Sequence, residues 1–160
     1  MSYPVVPNIA AGRANELYRR VKVSDPSTSR IVVVAFKTMP TEAAVRDAET
    51  LAALITAGAL EATNTLYTRK VFAAADLTAW APEHASDRAG FDLPDINYGA
   101  LGIAGAMAAI GVYYTPDQAG GADTDMVPLT FLTWTSVPDG VSTVLFNWSA
   151  EGVYRGTPAA

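Results

Sequence analysis

The chain has 160 residues, half of them hydrophobic, with 11 basic and 16 acidic side chains for a net charge of −5, and no cysteine. A length of this order suits one domain that buries roughly 70% of the surface its unfolded chain would expose, so a full core can form without staples. The missing cysteine removes disulfides, thiolate nucleophiles and cysteine-held metals, and the acidic balance argues against a nucleic-acid face, which needs concentrated basic residues.

The opening "MSYPVVPNIAAGR" has neither a charged leader region nor an uninterrupted apolar run, so it does not read as a secretion signal. Pro4 and Pro7 favour an extended arm over residues 1–12. An arm that cannot bury Val5, Val6 and Ile9 on itself would bury them on a neighbour. Tyr3, Val5, Val6 and Ile9 are therefore the expected partner contacts, and removing residues 1–9 is expected to leave a folded domain.

In "GRANELYRRVKV", Leu17 and Val21 lie one helical turn apart and predict a short helix. Arg13, Arg19, Arg20 and Lys22 cluster there, flanked by Glu16 and Asp25, as a solvated face or protein contact would have them. "SDPSTS" is a turn by composition. "RIVVVAFKT" is β-branched and apolar on both faces, which predicts a central buried strand. Next comes one main helix: Thr41 as N-cap, an apolar stripe of Val45, Ala48, Leu51, Ala52 and Ile55, and Gly58 at its close. "EATNTLYTRKVF" reads as a half-exposed strand from about Glu61 to Phe72. The polar segment after it, interrupted by Pro82, reads as a loop with a helical turn near Ala74–Ala79. "FDLPDINY" is a strand whose Pro94 belongs at an edge or bulge.

From Gly99 to Tyr114 there is no charged residue and there are four glycines. The run is shorter than the ~20 residues of a spanning helix. Glycine also costs about 1 kcal/mol per helix-interior position. The segment therefore splits into a Gly-rich turn over Gly99–Gly105 and a buried strand from near Met107 to Thr115, and it is not a membrane segment. After the loop "DQAGGADTD", the runs "MVPLTFLTWTS" and "VSTVLFNWS" are strands separated by the turn "VPDG". "EGVYRG" adds a last short strand. The whole reads as a β-rich α+β fold: a single compact domain over 13–155, an antiparallel sheet or sandwich of about seven strands with one main helix, and a flexible tail at 156–160.

No motif specifies a reaction. His84 is the single histidine, and its neighbours Ser86 and Asp87 form no nucleophile elbow. Asp117, Asp123 and Asp125 could offer oxygens to a cation, but their spacing is not that of a calcium loop, and a solvated hairpin loop explains them better. Asp92 and Asp95 flank Pro94 as edge-blunting carboxylates rather than a glycosidase pair. Gly99, Gly102 and Gly105 lack the order of a phosphate-binding loop. Trp80, Trp134 and Trp148 could line a ligand groove, although core packing accounts for them. No catalytic, cofactor or metal residue is assigned.

Taken in order, "NIAAGRANELYRRVKVSDPSTSRIVVVAFKT", "LAALITAGALEATNTLYTRKVF", "FDLPDINY", "VYYTPD" with "GGADTDMVPLTF", and "EGVYR" resemble a family of small virion structural proteins. These are encoded by tailed bacteriophages, especially those infecting actinobacteria. The likeness runs from about Asn8 to Arg155. The resemblance implies a place in a particle rather than an enzymatic reaction: a capsid decoration or minor head protein that stabilises the major-capsid lattice. Its implied partners are the major capsid protein and further copies of itself around a symmetry axis, for instance as a trimer, with no nucleic acid and no membrane. It would be made in the host bacterial cytoplasm and carried on the capsid surface of the virion. A neck or tail component is the alternative, as is a carbohydrate-binding virion module that touches the host surface with its tryptophans. Glu61, Tyr67, Arg69, Lys70, Asp92, Pro94 and Asp95 match the family pattern as fold or contact positions. The Gly/Ala-rich turn departs from it and suggests a contact particular to this chain.

Overall fold

Arg30–Thr38 forms strand β1, and its alternating side chains organise both sides of the molecule. In the computed structural model, described over residues 5–10, 13–77, 89–117, 121–148 and 153–156, Ile31, Val33 and Ala35 enter one core and Val32, Val34 and Phe36 another. This is the two-sided burial expected of an apolar run without polar alternation. Antiparallel to β1 runs β6 (Met107–Thr115), with Val33 opposite Val112 and Val34 opposite Gly111. The buried strand read from composition thus begins and ends where it was expected. Beyond β6 lies β7 (Val127–Ser136), so the hairpin across the 116–126 loop is also as predicted.

On the other side of β1, the expected single strand from Glu61 to Phe72 is two short pieces, β2 (Leu60–Glu61) and β3 (Lys70–Phe72). Both pair antiparallel with β1, one near each end. Residues 62–69 leave the ladder between them. The excursion still serves the backbone of Ala35: its carbonyl accepts from the Ala62 N–H at 2.9 Å, and its N–H donates to the Tyr67 hydroxyl at 2.9 Å.

One face of this five-stranded sheet is covered by α1 (Ala14–Lys22) and by two ribbons, β4 (Ala89–Phe91) with β9 (Tyr154–Gly156) and β5 (Ile96–Ala100) with β8 (Thr143–Phe146). Buried Leu17, Tyr18 and Val21 give α1 its apolar stripe, and Tyr18 stacks on Phe91 with centroids 4.6 Å apart. "FDLPDINY" is therefore not one strand. Pro94 sits in the four-residue link between β4 and β5, which belong to different ribbons. β7 and β8 follow one another in sequence yet do not pair; β8 takes β5 as its partner.

The opposite face carries α2 (Glu42–Asp47) and α3 (Leu51–Thr56) in place of one helix. Thr41 caps α2 through the Ala44 N–H, as expected, and Thr50 caps α3 through the Ala53 N–H. The break has a tertiary cause: the Leu51 and Ala52 amides donate to the Met126 and Asp123 carbonyls of the loop before β7. Those bonds satisfy donors that a helix start leaves open. Gly58, at φ 106, follows α3 in the left-handed region suited to a helix end.

The N-terminal segment also departs from the arm. Val5 is fully buried in the second core and exchanges two backbone hydrogen bonds with Phe131, at 3.0 and 2.9 Å. Val6 packs against the first core, and Asn8–Ala10 form a 3-10 turn in which Ile9 is partly exposed. Val5 is accordingly a core residue of its own chain rather than a partner contact. Tyr3 and the tail from 157 lie outside the described residues. The described fold is α+β, rich in antiparallel strand, and compact.

Candidate functional site

The motif residues "EAT…Y.RK" converge where the edge strand is interrupted. Arg69 donates to both carboxylate oxygens of Glu61, at 2.8 and 2.6 Å, and to Asp123 at 2.6 Å. This brace ties the sheet edge to the β6–β7 loop, and the two-pronged geometry suits a guanidinium better than an ammonium. Its hydrogen bonds to Glu61, and then that to Asp123, push the Arg69 guanidinium further above its ordinary range against partial burial. The Tyr67 hydroxyl donates to Glu61 at 3.2 Å. Burial above all, with the charge of Glu61, pushes its phenol well above the usual value, so it remains a neutral donor. Asp123 is committed to this brace.

A second tie lies above it. The Asn64 side-chain amide donates to the Gly102 and Gly105 carbonyls at 2.8 and 3.4 Å, and the Gly102 N–H to the Thr65 carbonyl at 2.9 Å. A Cβ at Gly102 would lie 2.8 Å from the Thr65 Cβ. Glycine is needed there because two backbones meet, which explains one of the residues that make the 99–105 segment unusual. The turn is thus an internal clasp, and Ile103 beside it is 78% exposed.

Three large apolar side chains are exposed along this edge. Leu60, Leu66 and Val71 are 52, 74 and 44% exposed. Leu66 sits at φ 71, a left-handed conformation that costs a non-glycine residue about 1–2 kcal/mol. Lys70, which could have guarded the edge with charge, lies with its Nζ over the Tyr98 ring, 5.0 Å from the centroid.

Along the first core, Tyr67, Tyr98, Trp134, Phe146 and Trp148 form a continuous row with centroids 4.6–5.8 Å apart. Trp148 is fixed by the "D.PD" segment: its indole N–H donates to the Pro94 carbonyl at 2.8 Å and its backbone N–H to Asp95 at 3.0 Å. Trp134, in the middle of the row, is half-buried and lines a cleft of about 370 Å³ between the end of β7 and the start of β8. Glu61, Tyr67 and Arg69 therefore meet in one brace, Asn64 and Gly102 in a clasp, and Pro94 and Asp95 at Trp148. The cleft and the exposed side chains of the edge were not singled out by sequence pattern, because their placement depends on which strands pair.

The basic cluster is largely committed to its own surroundings. Arg19 pairs with Glu16 at 2.7 Å, Arg20 lies 3.8 Å from Asp25, and Lys22 donates to the Ala74 and Leu77 carbonyls. Asp92 accepts from the Leu93 N–H. His84, Ser86, Asp87 and Trp80 lie outside the described residues. Among the described residues there is no group of three or more His, Cys, Asp or Glu side chains placed to hold a metal ion, and no helix is long and apolar enough to cross a membrane. Comparison with known proteins finds no matching family model, no matching curated sequence and no matching solved structure.

Proposed function

We propose that the chain is a non-enzymatic structural protein of a tailed-phage virion, a decoration or minor head protein that lays its β2–β3 edge against the major-capsid lattice. The observation that carries this reading is the edge itself: among the described residues β2 and β3 pair only with β1, the ladder is interrupted between them, and Leu60, Leu66 and Val71 are exposed along it. Exposed apolar edges are pairing surfaces that monomeric proteins usually blunt. The brace and clasp behind it give the edge a fixed shape, so little ordering would be needed on contact. A standard stable interface buries ~800 Å² per partner. Repetition over a lattice, in a homo-oligomer around a symmetry axis, would supply the retention that a single contact lacks.

Copy number per purified virion, by quantitative mass spectrometry against the major capsid protein, tests this. Hundreds of copies support a place on the head lattice. A dozen or fewer would move the protein to the neck or tail, and absence from the particle would overturn the structural reading.

A further inference from the structure

The cleft at the end of β7 lies away from the β2–β3 edge, across β1 and β6, and nothing in the virion reading uses it. We propose that it binds a neutral saccharide. Its volume of about 370 Å³ falls within the roughly 300–1,000 Å³ of small-molecule sites. The lining residues include Trp134, four that carry hydroxyls (Thr135, Ser136, Ser142 and Thr143), several apolar ones and a single charged one, Asp139. No Lys or Arg lines it, so an anionic ligand would meet an uncompensated carboxylate.

A cation is equally ill served. The Asp139 carboxylate already accepts from the Val141 and Ser142 amides, at 2.9 and 2.6 Å, and from the Ser142 hydroxyl at 2.6 Å. What remains suits an uncharged molecule that carries many hydroxyls and has an apolar face. With its hydrogen directed at Asp139, the Ser142 hydroxyl can only accept from a ligand, whereas the other three can donate or accept. Trp134 is held ready by Tyr98, stacked at 5.8 Å, and by Phe146, edge-on at 5.5 Å. An amphipathic ring fixed in this way offers contact area at little entropic cost.

The test is an NMR titration of the isotope-labelled full chain with chitotetraose, maltotetraose and cellotetraose, and with tetragalacturonate as the acidic counterpart. The expected result is saturable shifts of the Trp134 indole N–H and the amides of 135–145 with at least one neutral sugar, and weaker binding of the acidic one. Thr143→Arg changes an exposed position and should leave the fold intact while weakening that binding about tenfold. Shifts with none of the neutral sugars, equal binding of the acidic one, or undiminished binding by the Thr143→Arg chain would overturn the proposal. Because it uses the isolated protein, this result stands apart from the virion copy number.

Discussion

Arg69 joins two carboxylates that lie 8 and 54 residues away in sequence, and its side chain is only 27% exposed. Replacing it with methionine would keep most of the volume and leave Glu61 and Asp123 facing each other without a cation. A fully buried pair broken in this way costs about 3–5 kcal/mol; with water reaching all three groups, we expect about 1–3 kcal/mol by urea denaturation. A loss below about 0.5 kcal/mol would show that the brace does not hold the edge. Asp139 gives a second residue-level prediction. Hydrogen bonds from the Ser142 side chain, and then from the Ser142 and Val141 amides, push its carboxyl down to about 2. With the folded value depressed below an ordinary ~3.9, its contribution to the turn is complete above that pH and disappears as pH falls through about 2. The Asp139 carboxyl carbon should therefore titrate near 2 by NMR, and Ser142→Ala should raise the midpoint. A wild-type midpoint near 4 would contradict the turn geometry.

At the level of elements, the N-terminal segment behaves as part of the sheet. Deleting residues 1–9 removes the Val5 side chain from the second core and leaves the Phe131 N–H and carbonyl without partners. We expect the truncated chain to melt at least several degrees lower than the full chain in circular dichroism; an unchanged melting temperature would restore the detachable arm. The sequence could not show this, since a proline-bearing apolar segment looks the same whether it packs on its own strand or on another molecule. Legibility elsewhere followed the range of the interaction. β6 and α1 are specified by their own residues and were readable. Thr50 caps α3, but the break before α3 depends on the Asp123 and Met126 carbonyls, which lie far off in sequence. Glu61, Tyr67 and Arg69 stood out as a motif, yet nothing local joins them to Asp123. Likewise, Trp134 was a candidate ligand contact, but its cleft exists because β8 leaves β7 to pair with β5.

For the whole molecule, the proposed lattice contact and the proposed saccharide cleft lie toward opposite edges of one sheet, so each can be altered separately. Leu66→Glu places a charge on the exposed edge without touching either core. Its stability should change by no more than about 0.5 kcal/mol, while its incorporation into particles, read by mass spectrometry of virions from a complemented host, should fall at least tenfold. Normal incorporation would remove the edge as the contact.

The alternation along β1 also bears on how such a gene can vary. Six consecutive positions supply two separate cores in turn. An in-frame insertion of one codon before Val34 would send every later side chain to the wrong face, turning Val34 and Phe36 toward the first core and the smaller Ala35 toward the second. Two inserted codons would restore the parity. Length variation among descendants of this gene should therefore be found in the loops, and where it enters β1 it should come in pairs of codons.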